Sequence, residues 1–217
     1  MQTWWHLAAV SGGILYLMPL LLLVVLFVAL ERSWALARLL RQGATLLRDM
    51  QGAKGRDGLG ERLTMALPSP QLAVLAAVLG SHDLDSGDGY AEEAMLAQAT
   101  LLDRGLWMLD TAVTLAPLLG LLGTIIGMFK AFQILGDQST APTAITGHVA
   151  EALVATAAGL TVAIIGLIFF NALNQRVRLV LHQMEAVKVT ALNRLYRQPA
   201  RPHGETPVSL LARRGEI

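Results

Sequence analysis

The stretch 115-LAPLLGLLGTIIGMFKAF-132 decides how the chain is read. It is apolar enough to lie in a lipid bilayer. It nevertheless gives up bulk at three glycines (Gly120, Gly123, Gly127) and carries a proline (Pro117), a hydroxyl (Thr124) and a lysine (Lys130). Two further windows are as apolar. Leu7–Leu30 and Ala152–Gln175 contain no Asp, Glu, Lys or Arg, and neither does Thr111–Phe129 within the opening stretch. Each passes the roughly 17–25 residues needed to cross a bilayer. The whole chain of 217 residues is 54% hydrophobic and 15% charged, with mean hydropathy +0.52. A soluble domain usually carries about a quarter charged residues. The expected fold is therefore an all-α membrane protein with three transmembrane helices, two of them extended into a cytoplasmic helical bundle.

The basic residues orient it. Eight lie in 31–106 and eight in 173–217, leaving Lys130 of the 17. None precedes the first span or falls in 136-GDQSTAPTAI-145. Positive residues stay on the cytoplasmic side, which predicts a periplasmic N-terminus and a cytoplasmic C-terminus. The first span lacks a basic region before it and is too long for a cleaved signal. Trp4 and Trp5 either form an interfacial aromatic belt or merely begin a helix.

The expected organisation is a periplasmic N-terminus and first transmembrane helix (1–30), a cytoplasmic helical segment (31–106) and a second transmembrane helix (107–135). A periplasmic link (136–147), a third transmembrane helix (148–172), a cytoplasmic helix (173–197) and a disordered tail (198–217) follow. The first helix is expected to continue to about residue 50, where 51-QGAKGRDGLG-60 breaks it. The run 70-PQLAVLAAVLG-80 is a helix too short to span, predicted to pack on the cytoplasmic parts of the long helices. In 81-SHDLDSGDGY-90 the acidic residues fail the calcium-loop register, with Asp88 at the required glycine and Ala94 at the twelfth place. It reads as a turn capping a helix from Ala91 that runs without a break into the second span. Val180, Met184, Val187, Ala191 and Leu195 make an amphipathic stripe after the third span.

Apolar burial cannot drive helices together in lipid, so small residues that permit close approach do so. Gly123 and Gly127 are four apart, as are Ala116, Gly120 and Thr124; Ala155, Gly159 and Ala163 answer on the third span. Thr124 and Thr156 lie 16 residues either side of Thr140, which places their hydroxyls at similar depth if the link turns there. Two readings stand. Each hydroxyl bonds its own helix, or the pair lines an oligomeric passage. No titratable side chain lies mid-span, so a proton relay needs an acid from a partner. Glu151, at the start of the third span, either gathers protons or is an interfacial carboxylate at a helix N-terminus.

The runs 116-APLLGLLGTIIGMFKAF-132 and 149-VAEALVATAAGLTVAIIGLIFFN-171, with Glu31–Trp34 after the first span, resemble the MotA/TolQ/ExbB proton-channel family. Three spans match its ExbB/TolQ branch. The resemblance implies a homo-oligomer, a pentamer, around a single-span ExbD- or TolR-like partner that supplies a membrane aspartate. Proton motive force would then act through a TonB- or TolA-like energy transducer, in ExbB-like outer-membrane transport or TolQ-like envelope maintenance. It implies Thr124, Thr156 and Glu151 as the proton pathway. It departs from the family at Ile165, where members usually carry proline. A passive scaffold for a partner helix is the rival reading. A solute transporter fits poorly without a broken helix or central polar residues. With no cysteine, no nucleophile–base pair and no spaced histidines, neither an enzyme nor a cofactor is expected, and no nucleic-acid partner.

Overall fold

The computed structural model describes residues 14–52, 55–65, 67–135 and 142–196. Six helices account for nearly all of them, and no strand occurs among the described residues. They are α1 (Ile14–Gly52), α2 (Gly55–Met65), α3 (Pro70–Leu79), α4 (Leu84–Leu102), α5 (Leu106–Leu135) and α6 (Pro142–Leu195). Parts of α1, α5 and α6 form the three spans long and apolar enough to cross a membrane. The 54 residues of α6 measure about 80 Å at 1.5 Å each. That exceeds twice the roughly 30 Å hydrocarbon core, so most of this helix lies beyond any one bilayer. The Trp4–Trp5 belt, residues 136–141 of the link and the tail from 198 lie outside the described residues.

The chain divides into two compact units, Met1–Ala37 with Asp103–Val177, and Arg38–Leu102 with Arg178–Ile217. In the first, α5 and α6 are antiparallel around a core of small residues: Ala112, Ala116 and Ala131 face Ala152, Ala155 and Ala163. The α1 segment adds Met18, Val25, Val28 and Ala29. Large apolar side chains point away, among them Phe27, Leu118, Ile125, Phe129, Leu160 and Ile164. Only 22% of each apolar window is buried. In water that surface would be an aggregation liability; against lipid it costs nothing, because hydrocarbon surrounds it either way.

The second unit is built as a water-soluble core. Val180, Met184, Val187 and Ala191 of α6 are buried, as are Leu46 and Met50 of α1 and Val74, Leu75 and Val78 of α3. α3 starts where Ser69 accepts from Leu72 N at 3.3 Å and Pro70 takes the first turn, a position that suits proline. Gln71 is buried and donates to Gln183 Oε1 at 3.0 Å and Leu39 O at 3.4 Å, and Gln183 donates to Leu40 O at 3.1 Å. A β-carbon on Gly43 would overlap both glutamines, so glycine is required where they cross. Lys188, 9% exposed at its side chain, is held by Asp88 (3.2 Å), Glu185 (3.3 Å) and Glu92 (3.6 Å).

Two expectations need correction. The helix expected from Ala91 starts at Leu84 instead. Asp83 caps it, accepting from Ser86 N at 2.7 Å, and hydrogen bonding from the Ser86 hydroxyl, with that amide bond second, lowers the Asp83 pKa from its ordinary value. Gly87 lies inside the helix because it is buried against Ser81 and Leu192, where a β-carbon would come within 2.8 Å of Ser81 Oγ. Nor does the helix run unbroken into the second span. It stops at Leu102, and Gly105 turns the chain with φ of +87°, a left-handed conformation open to glycine. The helix expected to end near residue 50 runs to Gly52, and α2 takes up from Gly55, so the described residues of the glycine-rich stretch are helical.

Candidate proton pathway

Glycine sets the geometry of the α5–α6 pair. A β-carbon on Gly159 would stand 2.5 Å from Ala116 O and 3.1 Å from Gly120 Cα. One on Gly120 would stand 3.1 Å from Ala155 O and from Thr156 Cα. One on Gly127 would stand 2.7 Å from Ala152 Cβ and 3.2 Å from His148 O. The backbones are thus in contact along three turns. Gly123 is buried on the same side of α5, Ala155 is 1% exposed and Ala163 9%. These small residues, singled out in the sequence, serve the contact within one chain. Gly166 does the same against Val113 Cγ2, at 2.9 Å.

Close approach brings Thr156 onto the neighbouring helix. Its hydroxyl donates to Gly120 O at 2.9 Å. The glycine leaves that carbonyl open from the side. Thr124 donates within its own helix, to Leu121 O at 2.7 Å. The two hydroxyls thus cap adjacent carbonyls, one across the interface and one locally. Each has given its single proton and keeps lone pairs that can accept.

The depth differs from the symmetric expectation. The contacts put Gly120 level with residues 155–159 and Gly127 level with 148–152. Thr156 therefore stands about one helical turn, roughly 4.5 Å, nearer the basic end than Thr124. Among the described residues α5 ends at Leu135 and α6 starts at Pro142. Pro142, suited to a first helical turn, was the sequence signal for that start.

Glu151 lies on α6, five residues from Thr156 toward the link. It is buried, at 6% exposure. His148 precedes it by one turn, with Nδ1 3.9 Å from Glu151 Oε2 and a side chain 20% exposed. Nothing in the sequence pairs the two beyond their spacing of three. At the basic end, Arg176 Nη1 donates to Ser33 O at 2.8 Å and also to Ser33 Oγ, tying α6 to α1. Ile165 is half-buried within the unbroken α6. Among the described residues no three His, Asp or Glu side chains gather as a metal site.

An all-helical membrane protein emerges, in which two glycine-matched helices carry hydroxyls and one buried carboxylate through an otherwise apolar span. The chain belongs to the MotA/TolQ/ExbB proton channel family, whose model matches residues 69–186. That range contains Thr124, Glu151 and Thr156. A putative biopolymer transport protein ExbB-like 1 from Synechocystis sp. is 35% identical over 94% of this chain and 84% of its own length. A putative ExbB homolog from Methanothermobacter thermautotrophicus is 26% identical over 82% of this chain and 66% of its own. The biopolymer transport protein ExbB of Xanthomonas campestris pv. campestris is 39% identical over 39% of this chain and 34% of its own. Among solved structures, C. jejuni MotAB aligns with TM-score 0.46 and 19% identity, covering 93% of this chain and 74% of that one.

Proposed function

We propose that the chain is the ExbB-like inner-membrane subunit of a motor driven by proton motive force. Its N-terminus is periplasmic and its C-terminus cytoplasmic, as the basic residues argue. Copies of it, five by family resemblance, form a ring around a single-span ExbD- or TolR-like partner. The assembly energises a TonB- or TolA-like transducer and is not itself an enzyme.

One observation carries the reading. Among the described residues of the α5–α6 pair the one buried acid is Glu151 at the link end, and the span beyond it offers hydroxyls but nothing titratable. A hydroxyl passes a hydrogen bond but stores no proton near neutral pH. The storage group must then come from another chain. Glu151 takes the proton from the periplasmic side and hands it to the partner's carboxylate, which becomes the protonated acid. Thr156 and Thr124, their own protons committed to Gly120 O and Leu121 O, accept a hydrogen bond from the protonated acid. One proton crossing 100 mV releases about 2.3 kcal/mol.

A passive scaffold is the second reading, favoured by the same bond if Thr156 serves only packing. The test is proton flux into vesicles holding the complex purified with its native partner, driven by a potassium diffusion potential. Glu151→Gln and the Thr124→Val, Thr156→Val double variant should each lose flux at least about tenfold, on the scale of a lost acid–base group, while the complex still co-purifies. Full flux in both variants refutes the pathway, as does rapid selective flux through the chain alone.

A further inference from the structure

We infer that His148 is the group that collects protons from the periplasmic side and loads Glu151. The inference rests on Glu151 being the pathway's acid and adds a residue to that path. Its basis is an asymmetry of exposure within one turn of helix. The Glu151 side chain is 7% exposed, that of His148 is 20% exposed, and they lie 3.9 Å apart through Nδ1 and Oε2. The carboxylate lies next in the chain to Ala152, where α5 and α6 meet closely at Gly127. The imidazole lies one turn closer to the link and is the more exposed of the two.

Imidazole is the side chain whose ordinary titration falls between about pH 5 and 8. Its two nitrogens allow the proton to enter and leave at different atoms. Nε2 takes a proton from water, giving the imidazolium. Nδ1 then releases its own proton to Glu151 Oε2, leaving a neutral ring protonated at Nε2 and a neutral carboxylic acid. Exchange of Nε2–H with solvent and reprotonation at Nδ1 resets the ring. Direct transfer needs about 2.6–3.2 Å, so the side chains must close by about 1 Å, a small torsional adjustment for two side chains one helical turn apart. The charged group that α5 brings to this level is Lys130, three residues past Gly127 and opposite about residue 147 by the helix register. Its charge acts on both His148 and Glu151 and is the same in every variant compared.

The test uses the full chain in vesicles of phosphatidylethanolamine and phosphatidylglycerol, with no partner and no flux. External pH is dropped rapidly from about 8 to about 5, across the imidazole range. The protonated carboxyl of Glu151 is followed by time-resolved infrared absorption, assigned by its loss in Glu151→Gln. His148→Gln and His148→Ala should slow its appearance at least about tenfold and leave the final amplitude unchanged. Added imidazole should restore the rate in His148→Ala, which a purely structural role for the histidine would not produce. Rates within twofold of wild type in both variants, or no rescue, overturn the inference while leaving the partner-dependent pathway standing. Absence of the Glu151 band in wild type overturns the inference, whereas loss of the proposed function shows instead as flux that survives Glu151→Gln.

Discussion

Gly159→Ala tests the physical claim on which the site depends, that α5 and α6 touch backbone to backbone. The new methyl would sit 2.5 Å from Ala116 O, 3.1 Å from Gly120 Cα and 3.3 Å from Ala116 C. All three are backbone atoms, so no side chain can swing aside. Reaching an ordinary contact moves the helices apart by close to 1 Å on this side, at an overpacking cost of about 1–3 kcal/mol. The Thr156 Oγ1 to Gly120 O distance of 2.9 Å then passes beyond hydrogen-bond range, removing about 0.6 kcal/mol more by the average for bilayer interiors. Alanine's helix preference over glycine returns up to about 1 kcal/mol. The net expectation is destabilisation by about 1–3 kcal/mol. The matched control is Gly89→Ala in α4, where nothing lies within 4 Å of the added carbon. It should gain about 0.5–1 kcal/mol from propensity alone. Both are read as shifts in the midpoint of SDS-driven unfolding in mixed micelles, followed by circular dichroism. A Gly159→Ala variant as stable as wild type would refute the contact.

Thr156→Val should cost about 0.6–1.7 kcal/mol in the same assay. Thr124→Val should be near neutral because its bond is internal to α5; equal effects would contradict the distinction. Lys188→Ala leaves Asp88, Glu92 and Glu185 facing one another around a vacated site. A loss of about 1–2 kcal/mol is expected, small because the carboxylates are 44–64% exposed. It should shrink with added salt, and a salt-independent loss would point to packing instead. Because the folded Asp83 pKa is depressed by the Ser86 bonds, its contribution is present above the unfolded value, near 3.9, and fades as pH falls through the folded one. Asp83→Asn should therefore flatten the acid limb of α4 unfolding below about pH 4, measured by amide exchange across α4; an unchanged limb would mean the cap does not act through its charge.

The spans were legible because lipid imposes a length and an absence of charge, and both are one-dimensional quantities. Helix faces beyond the spans were legible for a similar reason: Val180, Met184, Val187 and Ala191 follow the helical period and are all buried. The break at Gly105 was misread because the flanking sequence is apolar and helical on both sides, and a single glycine is tolerated in helices as often as it ends them. The start of α4 was misread because Asp83 and its bond to Ser86 outweigh three helix-weak residues, Ser86, Gly87 and Gly89.

Composition and period settled that this is a three-span helical chain with small residues at helical spacing, and singled out Glu151, Thr124 and Thr156 from the polar groups in or beside the membrane. Folding in three dimensions settled which partner each of those groups meets. Thr156 reaches across to Gly120 while Thr124 turns back on its own helix, and His148 stands 3.9 Å from Glu151. The reason is that a pattern records which face a residue occupies. Hydrogen bonds depend on the register between helices to within about 1 Å, and that register is fixed by where backbones collide at Gly120, Gly127 and Gly159.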